Sequence, residues 1–147
     1  MEIMFKHIVF ATDGSPSAAK ASQTAIELAR TNGAKLTVVF VIDPYPYMSL
    51  GEGTGDAFQA YMNAAYAASA KVTEDLVEQA KKAGVTMEKS VVEGDDVASA
   101  IVMVAEQQGG DLVVVGSHGR TGIQKFILGS VASKVLTMSK VPVLIVR

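Results

Sequence analysis

The chain has no cysteine, no tryptophan and only two histidines, His7 and His118, among its 147 residues. Without thiols it forms no disulfide and offers no thiolate to a metal, although this says little about compartment. No Ser-His-Asp spacing surrounds either histidine, so a catalytic triad has no support. Aromatic residues are sparse and prolines number four. No apolar run reaches the roughly 18 residues that a membrane-spanning helix needs. The start, Met1-Glu2-Ile3-Met4-Phe5-Lys6, lacks the basic and apolar regions of a secretion signal. A cytoplasmic location is therefore the expectation. The net charge of −2 argues against nucleic acid or an anionic membrane as partner. Two phosphate-binding signatures are also missing. There is no Gly-x4-Gly-Lys-Ser/Thr, and no Gly-x-Gly-x-x-Gly follows the first strand.

What is present is apolar: 49% of the chain, mostly Val, Ala, Ile and Leu. That composition suits one α/β domain, residues 1–147, with both sheet faces covered. Strands are expected at 7–12, 35–42, 86–92, 111–115 and 141–146. Ser15-Pro16 reads as a helix cap followed by a first-turn proline, and Asn32-Gly33 as that helix's end. Residues Pro44 to Gly55 read as a loop, with Gly51, Gly53 and Gly55 supplying flexibility. Asp56 is expected to cap a long helix reaching Ala83, stopped by Gly84. Gly94-Asp95-Asp96 leads into a helix through Val97, Ile101, Val104 and Ala105, where capping and the helix dipole explain the paired acids. A last helix spans 130–138. The alternation of strand and helix predicts a parallel sheet with helices on both faces.

The densest local signal is Gly116-Ser117-His118-Gly119, nine residues, then Gly129-Ser130. It follows the apolar run Asp111-Leu112-Val113-Val114-Val115 and precedes the helix from Val131 to Met138, with Ser130 expected at the N-cap. A glycine N–H can approach an anion closely because no Cβ intervenes. A helix N-terminus adds unpaired donors and the positive end of a dipole. Both halves of the pattern suit phosphate. The alternative is that such glycines mark turns or close packing, but three spaced glycines, a hydroxyl after the third and the flanking strand and helix demand more.

This pattern, Gly-x-x-Gly-x9-Gly-Ser, resembles the nucleotide-binding signature of the universal stress proteins. The intervening Ser117 to Gly122, the opening Ile8-Val9-Phe10-Ala11-Thr12-Asp13-Gly14-Ser15, Val39 to Asp43 and the ending Val141-Pro142-Val143-Leu144-Ile145-Val146 are similar to theirs too. The resemblance runs from Lys6 to Arg147 and is weakest from Pro44 to Gly55. It implies a doubly wound, Rossmann-like five-stranded sheet of order 3-2-1-4-5, in which a crevice opens at the carboxyl ends of strands 1 and 4. It also implies bound ATP, or AMP or ADP, with Mg²⁺ accompanying the triphosphate.

Under that resemblance Asp13 belongs on the adenosine side. A carboxylate would repel phosphate but accepts hydrogen bonds from a ribose hydroxyl or an adenine amine. Its other reading, as a turn former bonding Ser15 or the helix start, is compatible. The resemblance places the main chain of Val41 at the adenine edge, with Ala11 and Thr12 as adjoining wall and Val92 and Gly94 as weaker candidates. Gly116, Ser117, His118, Gly119 and Arg120, facing Gly129, Ser130 and Val131, form the implied phosphate side. Arg120 or Lys125 could neutralise phosphate charge, whereas His118 reads as an exposed loop residue. Met48, Met62, Met87, Met103 and Met138 are scattered and form no ligand set. No base or nucleophile suits fast hydrolysis, so the expectation is a regulatory stress-response binding protein, not an enzyme. The rivals are a slow ATPase or nucleotidyl-transferring enzyme, and a nucleotide-independent stress protein acting through a regulatory protein partner. Residues 141–146 fall at the sheet edge under the implied order. An apolar edge invites pairing, so a homodimer through this strand is expected, as the resemblance also implies. The competing possibility is a monomer whose Val143 and Ile145 pack on the last helix.

Overall fold

The computed structural model describes residues 4–44, 55–117 and 128–147. Its elements run β1 His7–Ala11, α1 Pro16–Asn32, β2 Lys35–Ile42, α2 Gly55–Lys82, β3 Met87–Glu93, α3 Val97–Gln108, β4 Leu112–Gly116, α4 Ser130–Met138 and β5 Val143–Val146. The strands form one parallel sheet of order β3-β2-β1-β4-β5, as the resemblance implied. Side chains alternate across the strands. Ile8, Phe10, Leu36, Val38, Leu112 and Val114 pack beneath α1 and α2. Val9, Val39, Val113 and Val115 pack beneath α3 and α4. The three central strands are buried on both faces, which is why they read as unbroken apolar runs.

Helix ends follow their caps. Ser15 Oγ accepts from the Ala18 N–H at 3.4 Å, and Pro16 begins α1. Gly33, at φ 63°, closes it. Asp96 caps α3 through the Ser99 N–H. Several expected boundaries shift. β1 stops at Ala11, although the Thr12 N–H still reaches the Val39 carbonyl at 3.0 Å. β3 and β4 each lie one residue later than expected. β5 begins at Val143 because proline has no N–H to give; the Pro142 carbonyl still accepts from Val113 at 3.0 Å. Gly55 opens α2, so Asp56 falls inside the first turn and does not precede it. Of the loop glycines, Gly51 and Gly53 lie outside the described residues.

At the sheet's amino edge the buried His7 ties three elements together. Its Nδ1 lies 3.0 Å from the Gln108 carbonyl, and its Nε2 lies 2.7 Å from Thr37 Oγ1. A carbonyl only accepts, so Nδ1 carries the proton. The Asp111 carboxylate takes the Lys6 and His7 N–H groups at 2.8 and 3.1 Å.

The turn from α3 into β4 is packed to its limit. A Cβ on Gly110 would stand 2.7 Å from Val9 Cγ2, and Val9 is wholly buried between β1's neighbours. Gly110→Ala must therefore displace the centre of the sheet. It should lower unfolding free energy by about 1–3 kcal/mol, read as a lower urea midpoint. An unchanged midpoint would contradict the close approach.

Candidate functional site

A cavity of about 710 Å³ opens along the carboxyl edge of the sheet. β1 leads into α1 on one face, and β4 leads into α4 on the other. The helices that follow β1 and β4 thus lie on opposite faces, and the cavity occupies that switch point. Ala11, Thr12 and Asp13 form one lip, and Gly116 with Gly129, Ser130 and Val131 the other. Val39 and Val41 line it from the α3 side of β2, Phe40 and Ile42 from the α2 side.

The β1–α1 turn explains how Asp13 is held. Thr12 Oγ1 accepts the Gly14 N–H at 3.1 Å, and Asp13 Oδ1 accepts the Ser15 N–H at 2.8 Å. Gly14 adopts φ +78°, and a Cβ there would meet Val72 Cγ2 at 3.2 Å, so both conformation and space favour glycine. Asp13 thus serves the turn and lines the cavity at once.

The two halves of the glycine pattern meet through the Ser117 main chain. Its N–H donates to the Val146 carbonyl at 2.8 Å, and its carbonyl accepts from the Gly129 N–H at 2.7 Å. The end of β4, the end of β5 and the mouth of α4 are thereby joined. Here one expectation needs correcting. The N-cap of α4 is Gly129, extended at φ −61° and ψ 157°, and Ser130 is the first helical residue. Ser130 cannot cap from inside the first turn, and Gly129 has no side chain with which to cap it. The first-turn residues Ser130, Val131 and Ala132 line the cavity.

Of the sequence-derived site residues, Ala11, Thr12, Asp13, Val41, Gly116, Gly129, Ser130 and Val131 all line the cavity. Ser117 lies buried just behind it. Val92 and Gly94 do not line it. His118, Gly119, Arg120 and Lys125 lie outside the described residues.

Sequence reasoning missed the contribution of α2. Tyr61, Ala64, Ala65 and Ala68 line the cavity, and the Tyr61 hydroxyl donates to the Asp43 carbonyl at 3.0 Å. The available signal was the alanine spacing at 64, 65 and 68, one face of a helix. Val97 and Ile101, two of the four apolar positions expected in α3, add a further wall.

Residues 4–147 match the universal stress protein family. The chain belongs to that family. The universal stress protein MJ0531 of Methanocaldococcus jannaschii is 32% identical over 147 residues, spanning 99% of this chain and 84% of that protein. Among solved structures, hypothetical protein MJ0577 superimposes with a TM-score of 0.87 at 26% identity, covering 98% of this chain and 96% of that one. A universal stress protein solved in complex with cAMP is 30% identical, with a TM-score of 0.68 and 97% of each chain covered.

In this universal stress protein the position of α4 also depends on α3. Asp96 accepts from Ser99 Oγ at 2.7 Å and from Lys134 Nζ at 2.7 Å. Lys140, just beyond the end of α4, pairs with Glu106 of α3 at 3.7 Å. The Lys134 ammonium, then the Ser99 hydroxyl, hold the Asp96 carboxyl down at about 2, from an ordinary 3.8. A depressed carboxyl stabilises the fold above its unfolded pKa, and that contribution is lost as pH falls from about 3.8 through about 2. The Asp96 carboxyl carbon should therefore titrate near 2 by NMR, and Lys134→Met should move the midpoint back toward 3.8. A midpoint that Lys134→Met leaves in place would show that the ion pair is not the cause.

Proposed function

We propose that this protein binds an adenine nucleotide in the carboxyl-edge cavity, with ATP as the principal ligand and AMP or ADP as lesser ones. Occupancy, read by a regulatory protein partner, is its output. The observation that carries the reading is the Ser117 junction, which sets the glycine end of β4 beside the glycine-capped mouth of α4. Helix N-terminal amides and the positive end of the helix dipole there favour anionic oxygen. The apolar walls from Val39, Val41, Val97 and Ile101 suit a planar base, and Asp13 suits a ribose or amine donor. A relative 30% identical to this chain was solved with cAMP, itself an adenine nucleotide. Mg²⁺ would travel with the triphosphate; Asp13 and Asp43 are the acids on the rim.

Titration calorimetry tests the reading. Gly129→Val should weaken ATP binding at least tenfold, about 1.4 kcal/mol, while the fold survives. Asp13→Ala should weaken adenosine as well as ATP. ATP binding unchanged in both variants would sink the assignment. Phosphate release above about 1 per second would turn it toward an enzyme.

We further infer that β5 mediates a two-fold dimer. β5 is the sheet edge, and Val143, Leu144, Ile145 and Val146 are each only partly covered within the chain. An apolar edge with unpaired main-chain groups is an association surface, and pairing it with its own copy gives a closed, isologous contact. The nucleotide cavities of both protomers stay open. Sedimentation at micromolar concentration should show a dimer, and Leu144→Lys combined with Val146→Lys should dissociate it. A monomeric wild type would refute the arrangement.

A further inference from the structure

We propose that Tyr61 is a positioning residue for base recognition: through the Asp43 carbonyl it holds the end of β2 so that the Val41 main chain reads an adenine edge. This role rests on the nucleotide reading above. In a parallel sheet the N–H and C=O of one residue point to the same neighbouring strand, and those of the next residue point to the other. The Thr12 N–H donates to the Val39 carbonyl at 3.0 Å, so Val39 turns its main-chain groups toward β1. The Gly94 N–H donates to the Ile42 carbonyl at 3.0 Å, so Ile42 turns its groups toward β3. Val41 follows Val39 in that alternation and faces the β1 side. There β1 has already stopped, because its register with β2 ends at Ala11 and Val39. The Gly14 N–H, which a longer β1 would offer to Val41, goes to Thr12 Oγ1. The Val41 N–H and C=O therefore point past the end of β1, and Val41 lines the cavity.

The end of β2 is held from two sides. β3 pairs with it as far as Ile42 and Glu93. On the α2 side, the Tyr61 hydroxyl donates to the Asp43 carbonyl at 3.0 Å. The Tyr61 ring packs against the cluster of Phe40, Ile42 and Met62, which sets the place from which its hydroxyl reaches. Val41 thus lies between two anchored carbonyls, Val39 on Thr12 and Asp43 on Tyr61. Both Tyr61 and Asp43 line the cavity beside it. A donor and an acceptor fixed before the ligand arrives bind it at smaller entropic cost.

A main-chain donor beside a main-chain acceptor suits a base edge that carries the complementary pair. Adenine presents its N6 amine as donor next to N1 as acceptor. Hypoxanthine, the base of inosine, reverses both: O6 accepts and the N1–H donates. Against Val41 the wrong edge sets acceptor on acceptor and donor on donor, leaving polar groups unsatisfied. The walls from Val39, Val97 and Ile101 suit either base. Discrimination therefore depends on where the end of β2 lies, which Tyr61 sets.

Titration calorimetry of wild type and Tyr61→Phe with adenosine, inosine and ATP provides the test. The substitution keeps the ring in its cluster and removes only the hydroxyl. Wild type should prefer adenosine to inosine. Tyr61→Phe should weaken adenosine about threefold to tenfold, the worth of one hydrogen bond, and inosine by less than about twofold. The gain in affinity from adenosine to ATP should not change, since the phosphate side is built by β4 and α4. Equal losses for adenosine and inosine would mean that Tyr61 merely supports the fold, and would overturn the proposal. So would a wild type without preference between the two nucleosides. In wild type alone, the Val41 amide proton should move downfield by NMR when adenosine binds; adenosine binding that leaves this resonance in place also overturns it. If wild type binds neither adenosine nor ATP, the nucleotide reading itself fails. If wild type binds both and Tyr61→Phe keeps the full adenosine preference, only the role of Tyr61 fails.

Discussion

The parallel pairing of β1 with β4 is the constraint on which the rest of this molecule depends. Ile8, Val9 and Phe10 sit in register with Leu112, Val113 and Val114, although about a hundred residues separate them in sequence. β1 is followed by a helix on one face and β4 by a helix on the other, so the junction is a topological switch point. A cavity at that point is a product of topology. Side chains then decide what it can hold. The walls are apolar because β2 ends there and α3 begins there, both with core-packing residues. Among the described residues, polar groups gather mainly at the lips, where strands give way to turns and to the start of a helix, with Tyr61 of α2 as the exception.

The α4 helix is the element whose position matters most, and it is held from three directions. Ala132 and Val135 bury its inner face. Asp96 reaches across from the cap of α3 to Lys134. The Gly129 N–H is fixed on the Ser117 carbonyl. Of these, burial supplies most of the energy, since exposed ion pairs contribute little on their own. The polar contacts supply direction instead: they determine where the helix mouth lies relative to the end of β4. A nine-residue helix is marginal by itself in water, so its docked geometry is a property of these neighbours more than of its own sequence.

Much of this was legible in the sequence because the signals are local or strongly periodic. The apolar runs at 35–42 and 112–115, the cap and proline at Ser15-Pro16 and the stop at Gly33 each express short-range physics. The strand order is non-local, and the resemblance to a known family supplied it. Errors fall where a local rule has two solutions. A glycine followed by serine at a helix mouth allows either to cap, and here Gly129 takes the extended position, leaving Ser130 one step inside. The alanine face of α2 was missed for a different reason. Ala64, Ala65 and Ala68 are good helix formers anywhere, so only the tertiary path of α2 past β2 shows that they line a cavity. The His7–Thr37 contact joins two strands through buried polar groups, and nothing in local sequence pairs them.

Asp13 illustrates how structural and binding roles combine without conflict. One carboxylate oxygen accepts the Ser15 N–H, an interaction that shapes the turn whether or not a ligand is present. That same bond fixes the side chain at the lip of the cavity. A residue that must be ordered for the fold loses little conformational freedom when a ligand arrives, so its hydrogen bonds come at smaller entropic cost. Thr12 follows the same logic through the Gly14 N–H, and Gly14 itself is confined by Val72 behind it. The β1–α1 turn is therefore a rigid lip, built by a short run of residues whose polar groups are engaged locally. The opposite lip is set by main-chain bonds through Ser117, independent of side-chain identity. A cavity with one lip made by side chains and the other by backbone presents specific acceptors on one side and general donors on the other. That division suits a ligand with a distinctive uncharged end and a generic anionic one.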